Sequence, residues 1–375
     1  MKATTAAMVA AFLGLVFTFD GAAGAAKAGN ALRVVPAGAM SVARAAHQAT
    51  VLHTGEVLIT GGCAGSCDEI HASAELYDPA SRTFRSAGDM HAPRASHVAV
   101  PLPDGRVLIA GGWSGTQATA GAEIYDPGAN RFVVTDSMEQ ARANPVAAIL
   151  PDGRVLIAGG GGGALGLTPL ASAEIFDPET ETFSAVGNMQ TPRQSHVAVA
   201  LEDGRVLVVG GNRVRGGGIL RSAEIFDPAT GTFHATGDMG VARHKHAALR
   251  LADGKVLIAG GSGEGDYGER HASTEIYAPS TGRFSAGPAM RHARHKLRDA
   301  LVLLPSGDAL VAGGAERVEL FDAQSRRFTV VAGLLEGERM FATASVLDNG
   351  DVLITGGYDE RIRSSAAAWL VTERR

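Results

Sequence analysis

Asp104-Gly105-Arg106-Val107-Leu108-Ile109-Ala110-Gly111-Gly112 joins a turn, a short apolar run and a glycine pair. The Asp-Gly step is a hairpin-turn signal, because such a turn needs positive φ. The apolar run behind it has the length of a buried strand. The glycine pair ends that strand where no Cβ fits or where φ is again positive. Near-copies end at Gly62, Gly160, Gly211, Gly261, Gly314 and Gly357, so the unit occurs seven times at intervals of 43 to 53 residues. A period near 50 overrides the two domains that 375 residues would otherwise suggest.

Further elements follow each copy in the same order. Ala74-Glu75-Leu76-Tyr77-Asp78-Pro79 recurs around Tyr125, Phe176, Phe226, Tyr277 and Phe321, a strand stopped by proline, which cannot donate to a ladder. A strand centred on Phe84, Phe132, Phe183, Phe233, Phe284 or Phe328 comes next. A methionine closes the unit (Met90, Met138, Met189, Met239, Met290; Leu335 in the sixth), and an arginine stands four residues on. That series is Arg44, Arg94, Arg142, Arg193, Arg243, Arg294 and Arg339. Each unit is therefore four strands. One such sheet cannot bury both of its faces, whereas sheets stacked around an axis cover one another.

The glycine pair, the aromatic strand ending in Asp-Pro and the later aromatic resemble the kelch repeat over residues 31–375, with Phe standing where that family has Trp in the fourth strand. The resemblance is to a bacterial-type secreted kelch protein. It implies an all-β, seven-bladed β-propeller, with blades near 41–90, 91–138, 139–189, 190–239, 240–290, 291–335 and 336–375. The seventh unit runs out before its fourth strand. Arg33-Val34-Val35-Pro36-Ala37-Gly38-Ala39-Met40 resembles Thr83 to Met90, so residues 31–36 are expected to complete blade seven and close the ring. Trp369 reads as the third-strand aromatic of that blade and Ala367 as the replacement for its glutamate, which leaves Arg339 without a partner.

Lys2, the 14-residue apolar run Ala6 to Phe19 and the small residues Gly21 to Ala26 read as a signal peptide over residues 1–28, hence a secreted or periplasmic protein. No segment is suited to a stable membrane span. A net charge of −5 with no basic stripe argues against nucleic acid as a partner. Cys63 and Cys67 are the only cysteines. Export favours a disulfide between them; free thiols and half of a metal site are the other readings.

The resemblance implies that the seven arginines lie on the connections between blades, where they would ring the axial mouth. The glutamates Glu75, Glu123, Glu174, Glu224, Glu275 and Glu319 recur with them, so a lattice of Arg–Glu pairs competes with an acidic-ligand ring. Residues present in every blade serve the blade, and breaks in the repeat are the better candidates. Arg243-His244-Lys245-His246, the loop carrying Tyr267, Arg270 and His271, and His292, His295 and Lys296 would converge on one basic pocket, with Arg339 beside it. Only four residues separate Gly314 from Glu319 in blade six, against 10 to 13 in the first five blades, which would leave a notch there. Trp113 and Tyr358 directly follow glycine pairs and suit either a sugar platform or a channel cover.

The family includes copper-radical oxidases, sugar mutarotases and non-catalytic scaffolds, and fold alone does not choose among them. The copper type needs two tyrosines, two histidines and a tyrosine–cysteine cross-link. Here Tyr77, Tyr125 and Tyr277 belong to the repeated strand and the cysteines share one loop, so that chemistry is set aside and no cofactor or metal is expected. The expectation is a non-catalytic module binding a glycan or protein, with an acidic ligand suiting its basic residues. The alternative is a cofactor-free carbohydrate enzyme of the sialic-acid mutarotase type, with His244, His246, His292 or His295 as acid or base.

Overall fold

A computed structural model describes residues 32–163, 165–214, 217–264 and 269–373. The signal segment and Tyr267 lie outside the described residues.

The described chain forms seven four-stranded antiparallel sheets. In blade one the strands are Gln48–Val51, Val57–Thr60, Ser73–Asp78 and Thr83–Asp89, from the axis outward. The same order repeats through blade six. Innermost strands neighbour one another around the ring, and that of blade seven, Thr343–Val346, returns to that of blade one.

The second strand of all seven blades is buried at every position, as in Val107–Ala110 and Val206–Val209. A blade is covered on both faces, which is why its sequence is a continuous apolar run and does not alternate. The core sits between blades: Leu108, Ala110 and Ile124 of blade two pack on Val155, Ile157 and Phe176 of blade three. Third and outermost strands meet through tilted ring pairs, Tyr77–Phe84 through Phe321–Phe328, with centroids 4.7 to 5.2 Å apart.

The glycine pair is required on both counts. Gly61 and Gly62 have φ of 58° and 90°. A Cβ on Gly61 would run into the Arg94 carbonyl oxygen, and one on Gly62 would lie 2.7 Å from His47 Cβ.

The ring closes through the N-terminus as expected. Leu32–Ala39 pairs antiparallel with Ala367–Glu373, Leu32 opposite Glu373 and Pro36 opposite Trp369. The Val34 N–H also donates to the Ala332 carbonyl of blade six at 2.7 Å. One expectation at this seam needs correction. Trp369 lies opposite Ile354 as Glu75 lies opposite Ile59, and Val371 lies opposite Val352 as Tyr77 lies opposite Val57. Trp369 therefore occupies the glutamate position, not the aromatic one. The two positions are two residues apart on the same sheet face, so alternation alone does not separate them.

Removing residues 1–40 strips the outermost strand from blade seven. The melting temperature is expected to fall by several degrees in a thermal unfolding scan; an unchanged value would contradict the closure.

Candidate functional site

The arginine series is buried and paired. Arg142 Nη2 donates to Glu174 Oε1 at 2.8 Å and Ser172 Oγ at 3.0 Å, while Nη1 donates to the carbonyls of Ser172 and Gly159. Glu174 in turn accepts the N–H groups of Glu139 and Gln140. Arg44–Glu75, Arg94–Glu123 and Arg193–Glu224 repeat this at 2.8 Å, Arg243–Glu275 at 3.0 Å and Arg294–Glu319 at 2.6 Å. Burial draws these guanidinium pKa values down, and the glutamate opposes the shift. The backbone carbonyl of the same arginine accepts an N–H from the second glycine of the preceding blade, from Gly62 to Arg94 round to Gly357 to Arg44, at 2.8 to 3.0 Å. The lattice thus works both within and between blades.

Blade seven solves the same problem differently. Arg339 donates to the Glu336 carbonyl, and its guanidinium lies 5.4 Å from the Trp369 ring centre. An aromatic face in the glutamate position replaces the ion pair with a cation–π contact, so Arg339 is not left unpartnered.

The recurring histidines lie under the ring of connections. His47 Nε2 and His97 Nε2 each meet a threonine hydroxyl of the preceding blade, Thr355 and Thr60, at 2.8 Å. His196 and His246 pack beneath Gly159 and Gly210, whose hypothetical Cβ atoms would lie 2.6 Å from the imidazole Cε1. Burial, helped by the Arg44 charge, pushes His47 down to about 3, and burial holds His97, His196 and His246 well below the ordinary value.

The connections and the loops between second and third strands share one face. Antiparallel bridges Ala45–Cys63, Ala95–Trp113, Ala143–Gly161, Gln194–Asn212, His244–Ser262 and Met340–Tyr358 join them in every blade but the sixth. Cys63 and Cys67 are disulfide-bonded in the blade-one loop. The predicted site residues divide on this face. His246 and His295 are almost wholly enclosed, and His244 and Lys296 nearly so, within the wall of the ring. Lys296 Nζ lies 5.2 Å from the Tyr358 ring centre and 6.0 Å from that of Phe341. Lys245 is half-buried in a left-handed turn of φ 52°, and the His271 pKa is lowered by burial.

Arg270 and His292 lie elsewhere, around the notch of blade six. A cleft of about 780 Å³ opens there, floored by Ala315 and Glu316 of the short loop and walled by Arg291, His292, Glu338, Asp359 and Arg361. Arg270 grips Glu338 through Nη1 at 2.8 and 2.9 Å. The His292 ring is 40% exposed, with Nδ1 3.0 Å from Glu319. Asp359 accepts the N–H groups of Arg361 and Arg363 and the Arg363 side chain, which hold its carboxyl down at about 2 and shape the blade-seven loop. No carboxylate pairs with Arg291 or Arg361 among the described residues. The notch was legible in the short spacing after Gly314. The blade-seven wall was missed, and its signal was the charged run Asp359-Glu360-Arg361-Ile362-Arg363.

A seven-bladed ring with this arginine lattice defines a class of propeller. Residues 94–139, 142–190 and 193–240 match the Kelch motif, so three consecutive stretches of this propeller are similar to kelch repeats. No curated protein matches it. A solved structure described as a novel fungal alcohol oxidase of the AA5 family, in complex with copper, is similar at a TM-score of 0.71 and 17% identity, covering 92% of this chain and 76% of that one. At that identity the likeness is one of fold. A tyrosine–cysteine copper centre does not fit the residues here: both cysteines are joined to each other, and Tyr77, Tyr125 and Tyr277 pack on Phe84, Phe132 and Phe284.

Four histidines held neutral make the fold acid-sensitive. Their folded pKa values are depressed, so below about pH 6.5 the unfolded chain takes up protons that the folded chain refuses. Stability is therefore present above that pH and lost as pH falls toward the folded values, by about 1.4 kcal/mol per pH unit per histidine. Leu297 fills the equivalent place in blade six, so His246→Leu should be tolerated. Urea unfolding at pH 7 and pH 5 should show the variant losing about 2 kcal/mol less than the native protein on acidification; equal losses would contradict the buried neutral imidazole.

Proposed function

We propose that the chain is an exported, non-catalytic binding module that holds an acidic glycan or an acidic segment of a protein on its connection face. The observation that carries this reading is the cleft between blades six and seven, where Arg291 and Arg361 face the same open space. Exposed guanidinium groups suit carboxylate, sulfate or phosphate through paired N–H donors. The repeat supplies a rigid ring, and the break in it supplies the concavity.

The enzymatic alternative loses most of its acid–base candidates to burial. His246 and His295 are enclosed, His244 is 3% exposed, and His292 is the accessible member of the four. Its Nδ1 is already engaged by Glu319, which also serves Arg294.

A thermal-shift screen of acidic sugars, sulfated glycans and acidic peptides against the mature chain tests the proposal. Arg291→Ala and Arg361→Ala should each weaken a confirmed ligand about tenfold, in line with a charged hydrogen bond, and added salt should weaken it further. Native affinity in both variants would overturn the placement. Anomeric exchange on a bound sugar, lost in His292→Ala, would support the enzymatic reading.

A further inference from the structure

Blade six departs from the repeat in a second way. Arg294 stands thirteen residues before Gly307, whereas the corresponding arginine stands eleven before Gly55, Gly105, Gly153, Gly204, Gly254 and Gly350. The extra chain forms a turn in which the Ala300 N–H donates to the Leu297 carbonyl, with Asp299 at φ 58°. The innermost strand begins only at Leu301. Arg298 and Asp299 project from this turn and line the axial cavity.

Arg298 spans the axis. Nη1 donates to the Ser96 carbonyl at 3.3 Å and to Asn144 Oδ1 at 2.5 Å. Nη2 donates to the carbonyls of His97 at 2.9 Å and Pro145 at 3.0 Å, and Nε lies 3.4 Å from Asp299 Oδ2. The four Nη N–H donors of the guanidinium are thereby all engaged, and Nε faces a carboxylate. Such a group has no Nη donor left for a ligand anion, so its role is to hold. The acceptors belong to the connections into blades two and three. Asp299 extends the grip: its carboxylate accepts Gln48 Nε2 of blade one at 2.8 Å, and its carbonyl accepts the Ala344 N–H of blade seven at 2.7 Å.

We propose that Arg298 and Asp299 form an axial lock, a two-residue insertion that ties blade six to blades one, two, three and seven across the channel. In a stacked-repeat architecture each unit otherwise touches only its neighbours. A tie across the axis couples blades that share no interface, and it narrows the axial channel to a cavity of about 190 Å³. The cleft between blades six and seven is thereby mounted on a ring braced from its far side.

Hydrogen exchange read by mass spectrometry on the whole mature chain tests the lock. Arg298→Met keeps much of the volume and removes every donor. Exchange should quicken roughly tenfold in peptides covering residues 95–98 and 143–147, in blades whose sheets do not pack against the sheet of blade six, and the melting temperature should fall by a few degrees. Arg298→Lys should not restore protection, because one ammonium cannot reach acceptors in two blades at once. Changes confined to blade six, or full restoration by lysine, would overturn the lock. Should Arg298→Met fail to fold, Asn144→Gly removes one acceptor while suiting the left-handed φ of 53° at that position. Quicker exchange at residues 95–98 and 298–300 then supports the lock, and unchanged exchange there overturns it.

Discussion

A single buried arginine per blade carries the architecture. Its two Nη groups are paired inside its own blade, by a glutamate on the third strand and by carbonyls at the ends of the second and third strands, while Nε is buried without a hydrogen-bond partner. Its carbonyl is satisfied by the blade before, through the N–H of the second glycine of the pair. A buried charge that loses its partner is strongly destabilising, so the arginine can be enclosed only when the blade is assembled around it. The glycine pair follows from the same constraint. A Cβ on the first glycine would collide with the connection into the next blade, and one on the second with the connection of its own blade. Trp369 obeys the rule by different chemistry, offering Arg339 a ring face where six other blades offer a carboxylate.

Because the lattice fixes the connections, variation is tolerated beyond them. The loops between second and third strands range from a disulfide-closed hairpin in blade one to a bare turn in blade six. Blade six is where the ring departs furthest from symmetry. It has lost a loop on the connection face, which opens the cleft, and gained two residues toward the axis, which brace the ring. Arg294 and Glu319 of the same blade keep the pair on which the rest depends.

The repeat, the four strands of each unit, the stacking around an axis and the closure by the N-terminal strand were all readable from residues alone, since turns, buried apolar runs and glycine pairs are local signals with a fixed period. The notch was readable for the same reason, as a missing stretch after Gly314. The register of Trp369 was not, because a two-residue slip keeps the side chain on the same sheet face. The placement of His244, His246, His295 and Lys296 was not either. Their charge suggested a surface, and the turn that carries them folds them into the wall of the ring.

The amino-acid sequence determined the kind of ring and the number of its blades, because each blade is specified within about fifty consecutive residues. Which residues face open space, and which meet across the axis, depends on contacts between distant blades. Arg298 shows the difference. Its two-residue excess is countable in the chain, but its acceptors lie some 150 to 200 residues away, and they come within reach only once seven blades have closed the circle.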